Sequence, residues 1–204
     1  MNAEDEDQDS PDSPSPNSAR VHAWLELLRV PNLFTAAADV VMGFLVTHEL
    51  IEAQEQWTLG ALVSASVLLY ASGVVLNDVL DFEADLRDRP TRPLPSGRIS
   101  RSVAGRLGWT LLAGGVVSGW VAAFLVGNML PGVCAVALAL CVLLYDFLLK
   151  RTPLGPVAMG ACRALNVLLG MSALGGPFGP GNLLIAGGIG VYIAGVTWFA
   201  RREA

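Results

Sequence analysis

Charge is scarce in this chain. Only 15% of its 204 residues are Asp, Glu, Lys or Arg, whereas soluble domains carry about 25%. A soluble globular domain does not fit that composition. Basic residues are outnumbered, 13 against 18 acids, and no Lys/Arg patch has aromatics interleaved, so nucleic acid is excluded as a partner. Cysteine is rare and odd in number. Cys134, Cys141 and Cys162 all lie in apolar runs, which rules out a disulfide scaffold and suits small buried hydrophobes. The two histidines, His22 and His48, have no partners at metal or catalytic spacing.

The charge that exists is unevenly distributed. Residues 1–20 hold six acids and one Arg, which accounts for the whole net charge of −5. Segment 1–22 is rich in Asp, Ser and Pro and cannot bury enough surface to offset its ordering entropy, so it reads as a disordered acidic tail. It has no apolar core of the kind a signal peptide needs. Residues 23–204 form the remaining domain.

Long apolar runs are what the chain has in abundance. Hydrophobic residues make up 53% of it, and a membrane-crossing helix needs about 20 of them in a row. Six stretches approach that length: 32–47, 59–76, 107–126, 131–149, 154–174 and 183–200. Gly114, Gly115, Ser118 and Gly119 would let helices approach closely. With the N-terminus inside, 12 of the 13 basic residues fall in inside segments and none in the outside loops. The expected fold is therefore an all-α multi-pass membrane protein of about six transmembrane helices, in the cell membrane, with both termini cytoplasmic. Trp57, Tyr70, Tyr145 and Trp198 sit near span ends, where an aromatic belt is expected.

The longest inside loop opens with Asn77, Asp78, Asp81 and Asp85, then Arg87, Arg89 and Arg92. On a continuing helix Asp78, Asp81 and Asp85 share one face. Oxygen ligands of this kind suit Mg²⁺, which takes one or two carboxylates plus substrate phosphates, and the planar fork of Arg suits phosphate. Carboxylates followed by guanidinium groups thus fit a metal–diphosphate site. They also fit a solvated loop whose acids and arginines pair with one another.

Two charges lie inside spans. Asp39 is about 12 Å beyond Pro31 and Arg163 about 14 Å beyond Leu154 at 1.5 Å per residue. Charges at such depth usually face a cavity or each other. Asp39 and Arg163 are expected to face one central cavity, with Asn166 a turn from Arg163, either as a substrate site or as a structural ion pair. Asp146 and Lys150, four residues apart, suit a helix-surface salt bridge.

The order Asn77, Asp78, Asp81, Asp85, followed by Arg92-Pro93-Leu94-Pro95-Ser96-Gly97, resembles the first signature of the UbiA superfamily of intramembrane prenyltransferases. Arg29-Val30-Pro31-Asn32 resembles the start of that family's first helix, which adds Asn32 to the candidate cavity residues. The segment from Tyr145 through Lys150, Arg151 and Gly155 resembles the one that brings a Lys to the diphosphate. Cys162 to Gly170 resembles the EboC-like subgroup. The resemblance covers about residues 25–203 and implies a UbiA-type helical bundle. It implies transfer of a prenyl group from an isoprenoid diphosphate to a lipophilic, often aromatic acceptor in the bilayer. On that basis Asp78, Asp81 and Asp85 would hold Mg²⁺, Asn77 would orient the diphosphate, and Arg89, Arg92 and Lys150 would stabilise the leaving pyrophosphate.

The pattern departs from the family in one respect. A second Asp-rich motif is usual after the sixth helix, and beyond residue 100 the acids are Asp146 and Glu203. The expectation is a fragment, an impaired enzyme, or a site that a partner chain would complete. The alternative function is a non-catalytic isoprenoid-lipid-binding or transport protein that keeps half of the site. A CDP-alcohol phosphotransferase would need D-G-x-x-A-R, and a soluble prenyl synthase would need D-D-x-x-D; neither is present.

Overall fold

A computed structural model describes residues 16–48 and 55–203, all of the regular structure being helical. The chain order is α1 (Pro16–Leu28), α2 (Val30–Thr47), α3 (Glu55–Leu80), α4 (Phe82–Asp88), α5 (Arg101–Val126), α6 (Leu130–Leu144), α7 (Gly155–Met171) and α8 (Pro180–Glu203). A single π-helical turn, Tyr145–Leu149, extends α6. Among the described residues, five segments are long and apolar enough to cross a membrane: α2, α3, α5, α6 with its π turn, and α8. The sixth, α7, has 17 residues, about 26 Å of helix, and falls just short by the same measure. The expected all-α multi-pass architecture is what the chain adopts. α1 begins at Pro16, inside the stretch that composition assigns to the tail; residues 1–15 lie outside the described residues.

Small residues set the packing. α2 crosses α7 where Gly43 faces the Val167 carbonyl and Gly170 faces the Val40 carbonyl, and a Cβ at either glycine would collide with backbone. Gly160 and Gly190 make the same close approach between α7 and α8. On α5, Gly115 meets Leu69 of α3 and Gly119 meets Ala135 of α6, while Ser118 Oγ donates to the Ala61 carbonyl at 2.9 Å. Van der Waals contact over such surfaces is the main attraction between helices in lipid. The inner core gathers Val40, Phe44, Leu62, Leu69, Leu138 and Leu169. Large apolar side chains also cover the outside, among them Phe34, Trp57, Phe124 and Leu184, the surface that a bilayer would solvate.

The loop after α4 is anchored rather than loose. Leu94 and Ile99 are buried against Ala23 and Leu27 of α1 and Val75 of α3. Arg98 pairs with Glu26 at 2.9 Å. Gly97 takes φ 76°, a turn conformation that costs glycine little. Ser100 then caps α5. These contacts fix the position of Arg92.

Candidate active site

The site grows out of the end of α3. The chain bends at Asp81 (φ −86°, ψ 4°) before α4 begins. The three aspartates take different partners rather than gathering as a group of three. Asp78 and Asp85, two turns apart, face Arg92, whose Nη1 lies 3.6 Å from Asp78 Oδ1 and 2.8 Å from Asp85 Oδ2. Asp81 turns the other way. Its Oδ1 accepts from Lys150 Nζ at 2.9 Å and from Arg151 Nη2 at 2.8 Å. Burial raises the Asp81 carboxyl, but the hydrogen bonds and charges of Lys150 and Arg151 outweigh it and hold the group below its ordinary value. Lys150 Nζ also donates to Asn77 Oδ1 at 2.9 Å. It is therefore drawn across to α3 rather than paired with Asp146 along its own helix. The C-terminal end of α8 braces this segment: Arg201 donates to the carbonyls of Thr152 and Lys150.

Arg29 completes the cluster. It stands between α1 and α2 in the left-handed region, φ 48° and ψ 50°, which non-glycine residues seldom enter. That backbone sends Nη2 to Asp78 Oδ1 at 2.7 Å. Sequence reasoning took Arg29 only as part of a helix start and did not single out Arg151. The available signal was a cation directly ahead of a Pro-initiated apolar span.

Two expected members stay out. Arg89 leaves the end of α4 and is exposed; its backbone N–H bonds Asp85 O, and no ion pair involves its side chain among the described residues. Asn32 is exposed in the first turn of α2, one turn beyond Ala36, where α2 meets its neighbours, and it does not line the cavity.

Beneath the cluster lies a cavity of about 180 Å³. Arg29, Asn77, Tyr145 and Asp146 line it together with Arg163 and Asn166, and Leu138, Val142 and Val74 form apolar wall. Tyr70 and Tyr145, expected in the aromatic belt, face this cavity instead, whereas Trp57 and Trp198 are exposed. Arg163 reaches Asp39 Oδ2 at 3.0 Å. Asn166 Nδ2 donates to the Ala36 carbonyl at 2.9 Å and lies 3.4 Å from the same Asp39 oxygen. The two charges inside spans are thus a pair joining α2 to α7; Arg163 lines the cavity as expected, and Asp39 does not.

For a divalent cation the donor set matters. No group of three acids or other ligands gathers among the described residues. Mg²⁺ needs only one or two carboxylates beside substrate phosphates. Asp78 and Asp85, which share Arg92 and each keep an oxygen outside any ion pair, fit that requirement. Asp81, whose Oδ1 takes both Lys150 and Arg151, likewise keeps Oδ2 outside any ion pair.

Comparison with known proteins follows this geometry. The sequence profile of the UbiA prenyltransferase family matches residues 33–203. The digeranylgeranylglyceryl phosphate synthase of Saccharolobus solfataricus is 34% identical over 154 residues, 72% of this chain and 50% of that protein. The protein of the same name from Methanothermobacter thermautotrophicus is 32% identical over 158 residues, 76% of this chain and 52% of its own length. A solved structure reported for digeranylgeranylglyceryl phosphate synthase in membranes superposes with a TM-score of 0.75 at 27% identity, covering 87% of this chain and 61% of that one. The chain spans about half the length of the curated relatives it matches. With 171 consecutive residues inside the profile and the fold in agreement, the chain belongs to the UbiA prenyltransferase family.

Proposed function

We propose that this protein transfers a prenyl group from an isoprenoid diphosphate to a lipophilic acceptor within the membrane, with Mg²⁺ as cofactor. The observation that carries the proposal is the cluster of four cations and three carboxylates at the mouth of an apolar-walled cavity. Such a mouth matches a diphosphate head and such a cavity matches a hydrocarbon tail. The names of the relatives support prenyl transfer; the acceptor those names mention belongs to those proteins.

In this reading Arg29, Arg92, Lys150 and Arg151 bind the diphosphate. They exchange carboxylate partners for phosphate oxygens and stabilise charge that develops as the carbon–oxygen bond lengthens. Asn77 fixes Lys150 through its Oδ1. Asp78, Asp81 and Asp85 would offer their remaining oxygens to Mg²⁺, which when bound neutralises phosphate charge. The cavity walls shield the allylic carbon from water. Topology follows the positive-inside distribution: the cluster faces the cytoplasm, with both termini on that side of the cell membrane.

The test is Mg²⁺-dependent release of pyrophosphate from geranylgeranyl diphosphate, with purified protein in nanodiscs and candidate acceptors supplied. Turnover that needs Mg²⁺ supports the reading. Saturable binding of the diphosphate without turnover, whatever acceptor is added, would replace it with the lipid-binding alternative.

A further inference from the structure

Two buried side-chain oxygens have no hydrogen-bond partner among the described residues, Asp146 Oδ2 and Asn166 Oδ1. Both residues line the same cavity, and they are only 4% and 5% exposed. Buried polar groups are nearly always paired in native proteins, so two orphans in one cavity require an explanation. The orientation of Asn166 is fixed by chemistry. Its Nδ2 faces the Ala36 carbonyl and Asp39 Oδ2, which accept only, so the atom left over is the carbonyl oxygen, an acceptor. Asp146 is carried by the π turn that ends α6, and such turns are frequent at functional sites. Beside it, Gly73 packs closely: a Cβ there would stand 2.7 Å from Val142 Cγ1 and 3.7 Å from Asp146 Oδ2.

Resting on prenyl transfer as the function, the orphans discriminate between the two substrates. Diphosphate oxygens are acceptors and have four cations at the mouth. An isoprenoid tail offers no polar hydrogen. Of the two substrates, the acceptor alone can bring donors to both atoms. Neither arginine of the lining adds a net positive charge, because Asp39 lies 3.0 Å from Arg163 and Asp78 lies 2.7 Å from Arg29, so the inner cavity does not favour a carboxylate or phosphate. We propose that the inner cavity seats the polar end of the acceptor, and that this end is a compact, neutral group with at least two hydroxyls, one donating to Asp146 and one to Asn166.

The test titrates the protein in nanodiscs with 1-O-octylglycerol, which carries two hydroxyls, against octyl methyl ether and octyl phosphate, with empty nanodiscs as reference. Geranyl S-thiolodiphosphate, titrated into the same preparations, reports folding and the cation cluster. The expected result is saturable binding of octylglycerol that exceeds both other probes and weakens about tenfold or more in Asp146→Leu and in Asn166→Leu. Gly73→Ala adds a methyl that must displace the Val142 side chain in the cavity wall without removing a polar atom, and is expected to weaken octylglycerol as well. Equal affinities in wild type and all three variants would overturn the proposal. So would octylglycerol binding no better than octyl methyl ether, which would leave ordered water as the occupant, or octyl phosphate binding tighter through Asn166. If wild type fails to bind the thiolodiphosphate, prenyl transfer itself is lost; if it binds and the diol results are negative, only the acceptor assignment falls.

Discussion

Arg29 carries two effects that substitution can separate. Its guanidinium pairs with Asp78 at 2.7 Å, and its backbone occupies the left-handed region at φ 48°. A hydrogen bond to a charged group contributes about 1.5–3 kcal/mol. The Arg29 side chain is 37% exposed, so solvent screening lowers this to about 1 kcal/mol. The backbone term costs a non-glycine residue about 1–2 kcal/mol. Glycine relieves it but adds unfolded-state entropy worth about 0.4–1 kcal/mol. Arg29→Ala loses the pair and keeps the backbone cost, whereas Arg29→Gly loses the pair and recovers about 0.5–1 kcal/mol net. The glycine variant should therefore unfold about 1–4 °C above the alanine variant.

Function should rank the two variants differently from stability. Both lack the guanidinium, and each should bind geranyl thiolodiphosphate about 5- to 30-fold more weakly than wild type, the equivalent of about 1–2 kcal/mol. Thermal unfolding in nanodiscs and equilibrium titration on the same samples supply both quantities. Two variants that unfold together would refute the backbone argument. Thiolodiphosphate affinity equal to wild type in both would remove Arg29 from the diphosphate site.

Asp78→Asn, Asp81→Asn and Asp85→Asn should each raise the Mg²⁺ concentration needed for turnover about tenfold, with Asp81→Asn also changing diphosphate affinity through Lys150 and Arg151; Mg²⁺ profiles like wild type in all three variants would contradict the metal role. Gly170→Ala should destabilise by about 1–3 kcal/mol, because its Cβ meets the Val40 backbone, whereas Gly114→Ala should be tolerated, its nearest neighbour being the Leu68 Cδ1 atom at 3.6 Å; unfolding of the two variants decides it. Asp39→Asn or Arg163→Gln alone should cost about 3–5 kcal/mol by stranding the other charge, and the double variant should cost less than their sum; strict additivity would mean that the 3.0 Å pair is not coupled. The Asp81 carboxyl sits below its ordinary value of 3.8, so its pairing stabilises the fold above that pH and is lost as pH falls through the lowered value. The stability difference between wild type and Asp81→Asn should accordingly shrink under acid, and a difference unchanged from pH 6 to pH 3 would refute this.

The architecture was legible because lipid imposes its own rules. Apolar runs of about 20 residues can only be helices there, and the six runs correspond to α2, α3, α5, α6, α7 and α8. Asp39 and Arg163 could be paired from depth alone, since two charges at one level of a bundle have few other partners. Asn32 and Arg89 could not be placed, because spacing gives a helix face but not where the helix ends or which turn lies beyond its neighbours. The tyrosines misled for a related reason. Tyr70 and Tyr145 lie near span ends in sequence, yet which side of the helix they occupy depends on packing, and for Tyr145 on a π turn that shifts the register.

The acidic signature shows where sequence reasoning reaches its limit. Spacing puts Asp78, Asp81 and Asp85 on one helix face and suggests both metal ligation and ion pairing with nearby arginines as its meaning. The structure contains the second arrangement through Arg92 of the same loop and adds partners the sequence held far apart: Arg29 lies 49 residues before Asp78, and Arg151 lies 70 residues after Asp81. The two meanings are compatible. Asp78 and Asp85 are buried and would repel one another if left alone, so a fold that must form before substrate arrives needs cations to compensate them. The groups that compensate are also the ones that suit a diphosphate. An arriving diphosphate with its cation would then exchange partners with charges already desolvated and held in position, so that little of the cost of assembling the site is left to the moment of binding.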